Sequence, residues 1–178
     1  MIPYFLILSS WVIVAFGHPY MSLTATFLAS CIGYALFWRG IAAVKSRRSR
    51  FLAGGLWMVA VQMVQLSWMC SIKYQGIYII FVYLGVAIWF GLQSGLFVAF
   101  FDHLSSKKDL IAFAGLWTLF EWSRLFFLSG FPFNPAGLSM SWHAYPMQLA
   151  AVGGVYFLSF WVIATNLCAY TGRYRMWI

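Results

Sequence analysis

An all-α, polytopic membrane bundle of about six transmembrane helices is the fold class this sequence predicts, and three observations carry that prediction. Of 178 residues, 63% are hydrophobic and 8% charged, whereas water-soluble domains hold roughly 45–50% apolar and 25% charged residues. The apolar residues fall in runs close to the roughly 20 residues that a helix needs to cross about 30 Å of hydrocarbon. Eleven Lys and Arg against three Asp and Glu leave a formal charge of +8, and nearly all of that charge lies between the runs. So little polar surface remains that a nucleic-acid partner is not expected, and the basic excess reads as a topology signal.

The elements follow in order. The chain opens apolar, at Ile2, Tyr4, Phe5, Leu6 and Ile7, without the basic region and small-residue cleavage site of a secretory signal, so its start reads as mature structure. A first helix near 1–16 stops at Gly17-His18-Pro19, because proline lacks an N–H and restricts the residue before it. A second, near 21–44, completes a hairpin and runs into the basic loop Lys45–Arg50. Further helices are expected near 51–69, 77–101, 110–128 and 146–170, broken internally only by Glu121 and Arg124. No repeat or long polar segment is left over, so residues 1–178 read as a single transmembrane domain.

Short cytoplasmic loops retain positive charge. With six crossings, Arg39, Lys45, Arg47, Arg48, Arg50, Lys107, Lys108, Arg173 and Arg175 fall on one side and Lys73 on the other. Both termini are therefore expected in the cytoplasm, with turns near 17–20, 70–76 and 129–145 outside. Cys31, Cys70 and Cys168 have no paired spacing, so neither a disulfide framework nor a CxxC metal site is indicated. His18 and His143 lack a nearby carboxylate cluster, and neither a metal nor a cofactor is expected.

Chemistry concentrates in one stretch. Glu121 and Arg124 are ionisable residues within an apolar helix, which is expensive in hydrocarbon and marks a functional site by default. Their i, i+3 spacing puts them on one face, so they read either as an ion pair pinning the helix to its neighbours or as direct substrate contacts. Ser129-Gly130-Phe131-Pro132-Phe133-Asn134-Pro135-Ala136-Gly137, followed by Trp142 and His143, cannot continue a helix and must run irregularly at the outer interface. That segment reads as an aromatic-belt turn or as a lipid-substrate site. Elsewhere, Gly91-Leu92-Gln93-Ser94-Gly95 is a GxxxG stripe, read as internal close packing ahead of a dimer face. Gln62 and Gln65 read as interhelical hydrogen-bonding residues, and Ser105-Ser106-Lys107-Lys108 as a solvated loop. Lys45–Arg50 is a topology signal first and an anionic-lipid contact second.

The run from Glu121 to Asn166 resembles the membrane domain of the apolipoprotein N-acyltransferase family. That family's Trp-x-x-x-Glu-Trp-x-Arg helix is matched by Trp117, Glu121, Trp122 and Arg124. Its Gly-Phe-Pro-Trp-Asn turn with a following Gly is matched by Gly130, Phe131, Pro132, Phe133, Asn134 and Gly137, Phe133 standing where the family usually has Trp. Gln148, Gly153 and Asn166 match a later Gln, Gly and Asn, and the aromatic opening, with Phe16 and Pro19 at its turn and then Trp68 closing the third helix, is also similar.

The resemblance implies a multi-pass protein of the bacterial inner membrane, working with membrane phospholipids and an apolipoprotein substrate. In the family, a nitrilase-like domain with a Glu base, an oxyanion-stabilising Lys and a Cys nucleophile moves an acyl chain from phospholipid, through a thioester, to the α-amino group of a diacylglyceryl-cysteine. The sequence stops at Ile178, Glu121 is its sole glutamate, and its cysteines match no family nucleophile. No catalytic residue is therefore assigned, and the chain by itself is expected to be inactive unless a nitrilase-like half is encoded separately. Glu121, Trp122, Arg124, Gly130, Phe131, Pro132, Phe133, Asn134 and Trp142 are the candidates for lipid-facing or interdomain contact. A small transporter or channel subunit and a non-catalytic membrane scaffold are the alternatives.

Overall fold

The computed structural model describes residues 2–19, 21–100, 106–126, 130 and 134–172, and among them there is helix and turn but no strand. Six longer helices are present among the described residues. α1 spans Ile2–Phe16, α2 Leu23–Ala42, α3 Arg47–Gln65, α4 Tyr78–Ala99, α5 Lys107–Ser123 and α6 Ala150–Thr171. Of these, α2, α4 and α6 are long and apolar enough to cross a membrane. α1 has 15 residues, α3 opens on three arginines, and α5 has 17 residues with a carboxylate in its last turn. On composition and on its three long apolar helices the chain is a membrane protein; among the described residues three helices meet the length and composition of a full span, and the six crossings expected are not shown by that measure.

Several boundaries depart from the apolar runs, at α5 because a cap, which hydropathy does not register, decides where the helix starts. α3 begins at Arg47, ahead of Phe51, behind an extended Ser46. α5 begins at Lys107, ahead of Leu110, because Ser106 and Asp109 form a capping box: Ser106 Oγ accepts from the Asp109 amide at 3.1 Å and Asp109 Oδ2 from the Ser106 amide at 2.7 Å. α6 begins at Ala150; Pro146 belongs instead to a short helix, Ala144–Met147, capped by His143.

α3 and α4 pack along their length, and the GxxxG stripe is the reason they approach so closely. A Cβ on Gly91 would come within 2.5 Å of Val59 Cγ2 and 2.9 Å of the Gly55 carbonyl, and one on Gly95 within 2.8 Å of the Phe51 carbonyl. The stripe is therefore an internal seam. The Tyr83 hydroxyl donates to the Met63 carbonyl across the same pair. At the centre, Phe37 stacks on Trp57 with centroids 4.1 Å apart, and Tyr34 meets Trp117 edge-on at 5.5 Å, arrangements that aromatic quadrupoles favour.

The middle of α2 is a π turn, Ala29–Gly33, which disturbs the regular i→i−4 ladder. Asn166 of α6, fully buried, serves the backbone there. Its Oδ1 accepts from the Tyr34 and Ala35 amides at 2.9 and 3.1 Å, and its Nδ2 donates to the Ala29 and Ser30 carbonyls at 3.2 and 2.9 Å. A single side chain thus joins α6 to α2.

Contacts at the helix ends give the alternation of the bundle. Gly40 presses on Ile7 and the Pro3 carbonyl, Arg39 donates to the Tyr170 carbonyl at 3.3 Å, the Arg47 guanidinium lies 5.8 Å from the Phe100 ring centroid, and Phe97 meets Phe113 at 4.3 Å. The start of α1, end of α2, start of α3, end of α4, start of α5 and end of α6 therefore share one end. Arg39, Lys45, Arg47, Arg48, Arg50, Lys107 and Lys108 gather there; Arg173 and Arg175 lie outside the described residues. Among the described residues, 17–19, 21–22, 67–76 and 134–147 form the opposite end.

Candidate functional site

The candidate site lies at that second end, where the segment after α5 is drawn down onto the bundle. Glu121, 3% exposed, sits one turn after Trp117, so the two share a face of α5. Its Oε1 accepts from Trp117 Nε1 at 2.7 Å and from the Ala136 amide at 2.9 Å. The second carboxylate oxygen is buried without a hydrogen-bond partner. Arg124, buried at the C-cap of the same helix, turns elsewhere: its Nε donates to Gln93 Oε1 at 3.0 Å, and its guanidinium carbon lies 4.1 Å from the Phe90 ring centroid. Beside the attraction between the two charges that the i, i+3 spacing favours, each residue has its own attachment, the acid to the loop and the base to α4. Helix spacing sets which face a side chain shares; neighbouring elements set which further attachment it makes.

The loop is seated at several points. Asn134, in the left-handed region at φ 39°, donates from Nδ2 to Gln62 Oε1 of α3 at 3.3 Å and hydrogen-bonds His18 in the α1–α2 turn. Burial lowers the His18 pKa and the Asn134 bond partly offsets this. The Gly137 amide donates to Ser159 Oγ of α6 at 2.9 Å. A Cβ on Gly137 would come within 2.5 Å of the Val155 carbonyl and 2.7 Å of the Ser159 amide nitrogen, so only glycine brings the loop this close. Ala136–Met140 forms a 3-10 turn on top of α6, near the point where Gly153 and Gly154 leave helical geometry.

Glu121, Arg124, Asn134 and Gly137 are thus brought into one polar layer, and Gly130, at φ 79°, turns the chain on its way into it. Trp122 is not part of the layer; it is 46% exposed and meets Phe126 at 4.7 Å. Trp142 is half-buried and packs edge-on against Phe27 at 5.1 Å. Phe131, Pro132 and Phe133 lie outside the described residues. Sequence reasoning passed over Gln93, Tyr34 and Ser159. Gln93 and Ser159 are polar residues inside long apolar runs, and that signal could have found them. Tyr34 carries no such mark; it lines the cleft beneath the loop beside His18, Gln65, Asn134 and Ser139.

The chemistry open to this layer is that of fixed donors and acceptors. Glu121 is held by two donors, and among the described residues no group of three His, Cys, Asp or Glu converges. What the geometry builds is a rigid seat for the loop.

Comparison with known proteins agrees with this reading of the motifs. The family model described as the apolipoprotein N-acyltransferase N-terminal domain matches residues 27–168. The apolipoprotein N-acyltransferase of Chlamydia caviae is 36% identical over 174 residues, covering 92% of this chain and 32% of the relative. That of Chlamydia pneumoniae is 29% identical over 179 residues, covering 96% and 33%, and that of Rickettsia prowazekii 32% over 123 residues, covering 67% and 23%. No solved structure matches the chain. The chain spans about a third of the length of the first two relatives. With its membrane helices, its Glu121 and Asn134 loop seat and a family match over most of its length, the chain belongs to the apolipoprotein N-acyltransferase family, in the region of that family's N-terminal domain.

Proposed function

We propose that this chain is the inner-membrane platform of lipoprotein N-acylation, a multi-pass unit with both termini in the cytoplasm and the 134–147 end outside. In that role it presents membrane phospholipid and the diacylglyceryl-cysteine of an apolipoprotein to a nitrilase-like catalytic part, which carries the acyl chain as a thioester and transfers it to the cysteine α-amino group. The observation that carries the proposal is the seat of the loop. Glu121 holds Trp117 and Ala136 together, and Gly137 is bonded to Ser159, so the family-matched residues form a stiff outer ledge on which a catalytic part can dock. The side of the ledge follows from the basic residues gathered at the other end.

The test is reconstitution. The 178-residue chain in phospholipid vesicles, mixed with the nitrilase-like part of a relative, should acylate a diacylglyceryl peptide by mass spectrometry, and Gly137→Ala should weaken that transfer. The chain without that part should form no acyl-thioester. Transfer by the chain alone, abolished by a serine at Cys31, Cys70 or Cys168, would overturn the proposal.

A further inference from the structure

We infer that the basic end of the bundle binds anionic phospholipid headgroups through Lys45, Arg47, Arg48, Lys107 and Lys108, while the other two arginines there serve the fold. This does not rest on the acyl-transfer reading. The division comes from the geometry. Arg50 Nε donates to the Val44 carbonyl in the loop after α2 at 2.6 Å, and Arg39 to the Tyr170 carbonyl in the last turn of α6 at 3.3 Å, where a cation also meets the helix dipole favourably. The other five are exposed and stand at helix starts or in the loop between α2 and α3. The described carboxylate at this end, Asp109, is held in the α5 capping box; Asp102 lies outside the described residues.

The surface below the cations selects the occupant. Arg48, Leu52 and Leu56 follow one another at i, i+4 and i+8 along α3, and the two leucines are 50% and 68% exposed. Lys107 stands one turn ahead of Ile111, 54% exposed, and Phe100 beside Arg47 is 69% exposed. Arg48 and Lys107 therefore each head an apolar strip running along their helix at 1.5 Å per residue, with Phe100 beside Arg47 adding to that surface. A soluble phosphate or a nucleic acid matches the cations alone. A phospholipid with a net negative headgroup matches both, its phosphate at the cations and its acyl chains on the strips, and each nearby Lys or Arg adds favourable headgroup attraction.

The experiment is native mass spectrometry of the full chain released from detergent with equal amounts of dioleoylphosphatidylglycerol and dioleoylphosphatidylcholine. Phosphatidylglycerol should be retained preferentially. Arg48→Gln alone should lower that retention about fivefold, and Lys107→Gln with Lys108→Gln by more. Lys73→Gln, at the opposite end, should leave it unchanged, as should millimolar inorganic phosphate. Unaltered melting in detergent would show that the exposed variants still fold, and Arg48→Gln stands as a single change should the double variant not. Equal retention of the two lipids, competition by inorganic phosphate, or an equal loss in Lys73→Gln would each overturn the inference.

Discussion

Replacing Asn166 by leucine isolates what this buried amide does, because leucine fills similar space and removes every hydrogen bond. Four bonds to the α2 backbone disappear: two accepted from Tyr34 and Ala35 and two donated to Ala29 and Ser30. Interhelical side-chain bonds in membrane proteins average about 0.6 kcal/mol and reach about 1.7 kcal/mol, so four of them amount to about 2–7 kcal/mol. Two helices lose their shared polar attachment in an apolar surround, so the loss falls on the packing of α6 against α2. The bond from Nδ2 to the Val162 carbonyl at 2.9 Å lies within α6 and is left out, since that carbonyl sits in a regular helix. Equilibrium unfolding in mixed micelles, followed by helical circular dichroism, measures the loss. Asn166→Ala should cost at least as much, as it adds a cavity. Asn166→Leu unfolding like the unaltered chain, with Asn166→Ala impaired, would show that the residue only fills volume and would refute the bridging role.

Three further outcomes follow from the loop seat and its surroundings. Gly137→Ala should destabilise the bundle by about 1–3 kcal/mol through overpacking against backbone, whereas Gly115→Ala, whose Cβ meets nothing within 4 Å, should be neutral or stabilising by up to about 1 kcal/mol; thermal melting of both variants distinguishes local fit from glycine content. Glu121→Ala should cost about 2–5 kcal/mol by orphaning the Trp117 indole and the Ala136 amide, while Glu121→Gln keeps an acceptor and should cost much less, as the same unfolding assay would show. Burial holds the His18 pKa below its ordinary 6.5, so the folded protein prefers the neutral ring. That contribution is present in full above pH 6.5 and is lost as pH falls through the lowered value; melting between pH 7.5 and 5 should show the decline, and His18→Gln should flatten it.

The sequence by itself determined the helical membrane class, since a 63% hydrophobic, 8% charged chain gathers its apolar residues in long continuous runs, which satisfy their backbone in lipid as helices. The segregation of basic residues, the Gly91–Gly95 seam and the loop's own residues were also legible, though not Ser159 that receives them, because each is a local pattern: a charge bias, a spacing, a helix-breaking composition. Caps were less so, and α5 accordingly starts at Lys107 rather than at its first apolar residue. Partner choice was not legible. Spacing on one helix offered Arg124 to Glu121, and to that attraction the folded chain adds the amide of Ala136 for Glu121 and the side chain of Gln93, from another helix, for Arg124. Asn166, likewise, stands at one end of the sequence and serves a backbone irregularity near the other. Periodicity specifies which side of a helix a residue occupies, while the group that meets it there depends on how the other helices and the loop pack, and that is decided only when the tertiary structure forms.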